Sequence, residues 1–488
     1  MTHPTQSGHG MGRKFFGNVA VRAVFQVFSA FAGLLLLPIL LRALGSEGYG
    51  VWSQIGVTVT LFAPMLTLRL DDALTRYLAG LSTAEERSQA FFSSLTAVGL
   101  LVSATVLVGL PLRGQLSSAM FADSSFAGLV PLFLARLALR ASFSLVAAYY
   151  RARSYIRLST SLQGLMTVAE LAGMYLILIV AGGGVADALL YLACLDGLMI
   201  LLVIGDVLRR ERRVAISSRV LRRFLRYSLP LIPTVFLYWI VNSSDRYVIV
   251  HFIGLKEAGV YSAAYSLSQV VKILVMPISF VLLPEVSALW ERGQKHESER
   301  RIAYSLRLYL LVAMPAMAGI AAVGAQLLVL MGTSQFAVDA SLLALLAAGE
   351  LCVGIYQIYV YRILLREKTW LLTIVFAVLA GLNLVLNFIL VPVMGILGAA
   401  AATFASYALQ AVFVLAFGRK VLGMAIEPSW LARVALASGC IYGLASLMPG
   451  SGLVGLVGRV LGGVVLYGIL VFALGIVKRE EVRSLLSR

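Results

Sequence analysis

The sequence predicts an all-α polytopic membrane protein of about fourteen transmembrane helices. These form two six-helix bundles related by a pseudo-two-fold axis, with two helices appended at the C-terminal end. Three observations predict this. The first is composition: 60% of the 488 residues are hydrophobic and only 13% are charged. A soluble domain carries about 25% charged residues, so a water-facing surface of normal density cannot be built. An ordinary cytosolic enzyme, a secreted domain and a disordered chain are excluded. The second observation is the number of apolar runs near 20 residues, the length needed to cross a bilayer. The third is an internal repeat.

The runs lie near 16–41, 50–68, 89–110, 127–149, 158–180, 185–206, 228–253, 259–284, 303–323, 338–360, 370–391, 394–417, 430–448 and 454–476. Residues 1–14 are polar and lack the short apolar core and small-residue cleavage site of a signal peptide, so none is expected. The runs divide the chain into an N-terminal bundle (1–206), a basic linker (207–226), a C-terminal bundle (227–417) and two appended helices with a tail (418–488). With the N-terminus inside, inside segments hold 29 Lys and Arg, outside segments hold 3, and the other 8 lie within spans. That bias predicts that both termini are cytoplasmic. It also accounts for most of the net charge of +17 without nucleic acid as a partner. The three cysteines, Cys194, Cys352 and Cys440, fall in apolar stretches and read as buried hydrophobes. No metal-ligand spacing is present, and no metal is expected.

The repeat links the two halves. Leu44-Gly45-Ser46-Glu47-Gly48-Tyr49-Gly50-Val51-Trp52-Ser53 joins spans 1 and 2, and Ile253-Gly254-Leu255-Lys256-Glu257-Ala258-Gly259-Val260-Tyr261-Ser262 joins spans 7 and 8. At an offset of 209 the glycines, the valine, the aromatic and the serine coincide. A weaker copy relates Gly182–Ala188 to Gly395–Ala401. Six spans separate the copies, so both halves have the same orientation. Transporters of this design hold substrate between bundles and rock them. Pro230, Pro233, Pro277 and Pro284, with Pro38, Pro64, Pro131 and Pro315, fit helices that bend.

Ionisable groups at membrane depth face a cavity or a partner. Arg136 and Arg140 on span 4 are i, i+4 and share a face, which Ser144 continues. Two cations on one stripe suit a diphosphate; the alternative is a structural pair with Glu170 or Asp196. Arg22 lies inside the cytoplasmic end of span 1, and Lys272 in the middle of span 8. Asp245 and Arg246 are neighbours on span 7, about 100° apart around the helix, and are not expected to pair. With Asn242, Ser243 and Ser244 they form a polar patch that suits substrate contact or gating. Glu350 on span 10 can carry a proton or make a structural pair. Asn383 and Asn387 are expected to bond between helices. Tyr238, Trp239, Tyr261, Tyr265, Tyr356, Tyr359 and Tyr361 suit an interfacial belt better than sugar stacking. In the middle inside loop, Val220–Tyr227 reads as an amphipathic helix on anionic lipid or, more simply, as part of a topology anchor.

Several stretches resemble the polysaccharide transporter family. They are Tyr227-Ser228-Leu229-Pro230-Leu231-Ile232-Pro233, Ser244-Asp245-Arg246-Tyr247 and Gly259-Val260-Tyr261-Ser262-Ala263-Ala264-Tyr265. Leu44–Gly50 with Ala73–Tyr77, and Asn387–Pro392 with Gly395–Ala400, are similar too. The family contains the Wzx-type oligosaccharide flippases. It belongs to a superfamily that includes the lipid II flippase and the multidrug and toxin extruders. The resemblance implies a bacterial inner-membrane flippase that moves undecaprenyl-diphosphate-linked oligosaccharide by alternating access. Membrane lipids surround such a protein, and a polysaccharide polymerase and a chain-length regulator are its implied protein partners. Relatives line a central cavity with cations, which implies such a role for Arg22 and Lys272 and, with the charge reading above, gives Arg22, Arg136, Arg140, Arg246 and Lys272 as the candidate cationic cavity. At position 272 this chain has Lys where the lipid II flippase has Arg. Asp245, Glu170, Asp196 and Glu350 are the candidate coupling or gating groups.

Other classes fit less well. A peptidoglycan precursor flippase shares the fold and the cavity sign. A cation-coupled drug exporter should carry an acidic cavity with few arginines. A membrane polymerase or glycosyltransferase needs large outer loops with placed carboxylates, and the longest outer loop here has about 15 residues. No phosphate-binding Gly loop with Lys, nucleophile arrangement or cofactor motif is present. The expectation is therefore a non-enzymatic transporter without cofactor, driven by an H+ or Na+ gradient or by the membrane potential.

Overall fold

The computed structural model describes residues 8–153, 155–211, 213–417, 426–450 and 452–477, without the side chains of 8–24, 26, 27, 30, 156 and 157. All regular structure among these residues is helical. Among the described residues, twelve helices are long and apolar enough to cross a membrane. The pair Leu255–Ile273 and Met276–Glu291, bent by 41°, makes a thirteenth if it is one span. The protein is thus a multi-pass membrane protein. The sequence predicts fourteen spans, and the difference lies in α1 (Gly8–Leu66), which runs through the first two predicted spans. Gly45 interrupts it with φ 66° and ψ −174°, conformations open to glycine and costly for other residues.

Backbone packing divides the chain into two compact units, residues 1–39 with 51–239 and residues 40–50 with 240–488. Residues 40–50, read from the sequence as part of the first bundle, therefore pack with the second. Their glycines explain why. A Cβ on Gly259 would stand 1.9 Å from the Ser46 carbonyl oxygen, and one on Gly50 would stand 2.1 Å from that of Leu255. Only hydrogen fits at either place. The paired glycines of the sequence repeat all have positive φ: 66° and 128° at Gly45 and Gly254, and 67° and 61° at Gly182 and Gly395.

The first unit is built on α1, α2 (Leu70–Tyr77), α3 (Ala84–Gly109), α4 (Arg113–Phe121), α5 (Val130–Ala152), α6 (Ile156–Tyr175), α7 (Val185–Glu211) and α8 (Ser218–Ser228). Its core gathers Leu74, Phe91, Val98, Leu145, Tyr149, Val203 and Phe224. Thr83 and Glu86 close a reciprocal cap at the start of α3. Leu68 and Arg69 both adopt the left-handed conformation, φ 49° and 55°, where α1 turns into α2.

The second unit contains α9 (Ile232–Phe252, from Ile240), α10 (Leu255–Ser268), α11 (Val270–Ile273), α12 (Met276–Glu291), α13 (Lys295–Met331), α14 (Ala340–Tyr359), α15 (Tyr361–Leu365), α16 (Thr369–Met394), α17 (Ile396–Phe417), α18 (Pro428–Leu447) and α19 (Gly452–Ala473). Its core runs through Val271, Ile302, Tyr309, Ile358, Val434 and Ala437. Tyr261, Tyr265 and Tyr359 are buried, against the expectation of an interfacial belt. The Tyr261 hydroxyl donates to Asp245, and the Tyr265 hydroxyl meets that of Tyr407, both on neighbouring helices. Cys194 and Cys440 are exposed on the protein surface, contrary to the burial expected. An apolar span has a lipid-facing side, so apolar sequence does not imply protein burial there.

Candidate functional site

A cavity of about 590 Å³ opens within the first unit. Four segments wall it. α1 contributes Phe25, Ser29, Val59, Thr60, Ala63 and Pro64, and the α1–α2 turn and α2 contribute Arg69 and Asp71. α5 contributes Arg140, Phe143, Ser144, Ala147 and Arg151, and α6 contributes Gln163, Met166, Thr167 and Glu170. A side pocket of about 190 Å³ shares Val59, Thr60, Arg140 and Glu170 with it and adds Trp52, Arg136 and Leu192.

The two arginines singled out on α5 diverge. Arg136 is ion-paired with Asp196 of α7 and also donates to the Leu192 carbonyl. Its side chain is 13% exposed, and that of Asp196 only 2%. Arg140 stands 3.9 Å from the other oxygen of Asp196 and is 47% exposed. One buried carboxylate thus answers Arg136 closely and Arg140 loosely. The guanidinium of Arg140 is left on the cavity wall, near the Phe143 ring.

Asp71 is engaged by hydroxyls, accepting from Ser144 at 3.0 Å and from Thr67 at 3.3 Å. Arg69 is ion-paired with Asp72. The cavity lining therefore carries Arg69, Arg140 and Arg151 against Asp71 and Glu170, a cationic excess of one. Sequence reasoning placed Arg69 and Arg151 in loops and missed them. The signal for Arg151 was its spacing: positions 140, 144, 147 and 151 fall on one helical stripe. Arg22 lies on α1, and its side chain falls outside the described residues.

The remaining predicted residues lie in the second unit. Arg246 does pair with Asp245, at 2.8 Å, which corrects the expectation drawn from helical angle. The 100° argument concerns Cβ directions, and a side chain as long as arginine folds back across it. Arg246 Nη1 also donates to the Asn242 carbonyl at 2.7 Å, and the guanidinium lies 4.0 Å from the centre of the Tyr265 ring. Asp245 in turn accepts from the Tyr261 hydroxyl at 2.6 Å. Tyr407 donates to Asn242 Oδ1 at 2.9 Å, and its hydroxyl is 2.9 Å from that of Tyr265. Asn383 donates to Ser406, and Asn387 to the Asn383 carbonyl, so these two amides bond across and along helices. Arg246 keeps 7% of its side chain exposed. It is a buried, enclosed cation.

Lys272 sits in the short helix at the 41° break. Its ammonium is 3.2 Å from the carboxylate of Glu350, which is fully buried. Tyr309 reaches the Val271 carbonyl freed by the break, at 3.4 Å. No group of three or more His, Cys, Asp and Glu that could hold a metal occurs among the described residues.

The all-helical fold of the described residues is one that solved membrane proteins share. The chain is similar to a structure titled "Lipid II flippase MurJ, inward closed conformation", with a TM-score of 0.77, 14% identity, and coverage of 92% of this chain and 97% of that one. It is also similar to an inward-facing multidrug resistance MATE family transporter of the MOP superfamily, with a TM-score of 0.68, 14% identity, and coverage of 81% and 95%. Within that fold, residues 15–290 match the family described as "Polysaccharide biosynthesis protein", and the chain belongs to it. Two relatives come from Haloferax volcanii. The "Probable low-salt glycan biosynthesis flippase Agl15" is 22% identical over 91% of this chain and 93% of its own length. The "Probable flippase AglR" is 25% identical over 50% of this chain, which spans about half (52%) of that relative.

Proposed function

We propose that this protein is a flippase that moves undecaprenyl-diphosphate-linked oligosaccharide repeat units across the bacterial inner membrane for assembly of O-antigen, capsule or exopolysaccharide. The observation that carries the reading is Arg140, held at the wall of a 590 Å³ cavity with nearly half of its side chain accessible. A planar, accessible guanidinium on a cavity wall suits diphosphate oxygens. Arg69 and Arg151 extend the positive lining, and Phe143 and Phe25 offer apolar surface beside it. The names of the relatives and the family description support a glycan-related flippase.

In this reading the fourteen spans form two six-helix bundles in pseudo-two-fold relation, with an appended pair. Both termini are cytoplasmic. The bundles alternate access without covalent chemistry. Transport is driven by H+, Na+ or the membrane potential, and Glu170, Asp196, Asp245 and Glu350 are the candidate coupling or gating groups. Arg136, Arg246 and Lys272 each meet a carboxylate, so in this reading they hold their own helices in place. A polymerase and a chain-length regulator act downstream. A drug exporter for organic cations fits the positive lining less well. A lipid II-type substrate would present the same diphosphate.

The test is a strain that lacks the gene. Extraction of polyprenyl-linked oligosaccharides should recover a complete repeat unit accumulated in the membrane, with loss of one surface polysaccharide and continued growth. Growth arrest with accumulated lipid II would assign the peptidoglycan precursor instead. Sensitivity to cationic dyes without accumulation would contradict the flippase reading.

A further inference from the structure

The face formed by α2 and α8 carries a second basic site, away from the cavity lining. On α8, Arg219, Arg222, Arg223 and Arg226 fall at i, i+3, i+4 and i+7, one stripe of the helix, and all four are exposed. The opposite stripe anchors the helix. Phe224 is buried and stacks on Tyr77 of α2 at 5.4 Å, and Val220, Leu221 and Leu225 pack beside it. Arg76 of α2 joins the basic stripe, 4.5 Å from the centre of the Tyr227 ring, and Arg223 lies 4.7 Å from that of Tyr77. None of these five arginines has a carboxylate ion-pair partner among the described residues.

The helix is also rigidly placed. Ser88 of α3 donates to the Arg213 carbonyl at 2.5 Å and accepts from the Ala215 amide at 3.1 Å. Ser93 accepts from the Ser217 amide at 2.8 Å, and the Ser217 hydroxyl caps α8 at Val220. The pinned segment presents two exposed aliphatic side chains, Val214 and Ile216. It lies between the end of α7 and the start of the run Ser218–Phe252, both candidate membrane spans, which sets it at the boundary between hydrocarbon and water. Uncompensated cations on one side of a fixed helix, with aliphatic side chains next to them, match the interface of a bilayer containing anionic lipid.

The geometry points to a binding site for anionic phospholipid headgroups, formed by Arg219, Arg222, Arg223 and Arg226 of α8 with Arg76 of α2. Phosphate oxygens are held by the guanidinium forks, Tyr77 and Tyr227 brace two of those forks by cation–π contact, and Val214 and Ile216 enter the acyl boundary. The inference does not rest on the transport reading, since lipid binding is measured without transport.

The test is native mass spectrometry of the full chain in detergent, titrated with dioleoyl-phosphatidylglycerol or dioleoyl-phosphatidylcholine. The wild type should retain phosphatidylglycerol preferentially. Replacing Arg219→Gln, Arg222→Gln, Arg223→Gln and Arg226→Gln together should reduce that preference about tenfold. The corresponding four Arg→Lys changes, which preserve charge and topology but lose the forks, should keep only part of it. In about 0.5 M salt the wild-type preference should fall as well. Equal retention of the two lipids by the wild type would overturn the proposal, as would a preference insensitive to salt or unchanged in the glutamine variant. Should the glutamine variant fail to insert, the wild-type salt titration decides.

Discussion

Arg140 and Arg246 both sit within membrane spans beside an aspartate, yet one side chain is 47% exposed and the other 7%. The difference lies in what surrounds the carboxylate. Asp245 meets Arg246 at 2.8 Å, with tyrosines from α10 and α17 and Asn242 of the same helix around the pair. Asp196 is occupied by Arg136 and leaves Arg140 at 3.9 Å. A single acid shared between two arginines produces an accessible cation; an acid with one arginine and several hydroxyls produces a closed network. In the first unit the membrane charge is therefore available to a ligand, and in the second it is committed to packing.

The largest effect should follow from opening the closed network. Asp245→Ala leaves Arg246 buried without its counter-charge and should cost about 3–5 kcal/mol, read as a collapse of thermal stability in detergent. Asp196→Asn should come next, with a loss of about 1–3 kcal/mol as Arg136 keeps only neutral partners. A smaller loss of stability for Asp245→Ala than for Asp196→Asn would break the contrast between the two units. Tyr265→Phe, which removes one hydroxyl from the ring around Arg246, should cost about 1 kcal/mol. Arg140→Ala should change stability least, by under about 0.5 kcal/mol, because an accessible, long-range pair contributes little.

Much of the architecture was legible because it is written in hydropathy and charge. The spans follow from apolar length, and the glycine repeat follows from positions where a side chain would meet a carbonyl oxygen. Gly50 and Gly259 are the clearest cases. Arg140 was legible from its depth in span 4. Its separation from Arg136 was not, because the deciding carboxylate lies 56 residues beyond it on another helix. Arg246 was misjudged because the reach of a long side chain is not fixed by the angle at which it leaves the helix. Tyr261 and Tyr265 were misjudged for a related reason. An aromatic residue in an apolar span suits a belt, a core or a cavity equally, and only tertiary packing chooses among them.

The most direct measurement is complementation of the deletion strain by Arg140→Ala, scored by the amount of lipid-linked oligosaccharide retained in the membrane. The protein level and melting temperature are measured in parallel. A cationic cavity that receives a diphosphate predicts accumulation like that of the deletion strain from a protein as abundant and as stable as the wild type. Normal surface polysaccharide with no accumulation in Arg140→Ala would contradict it.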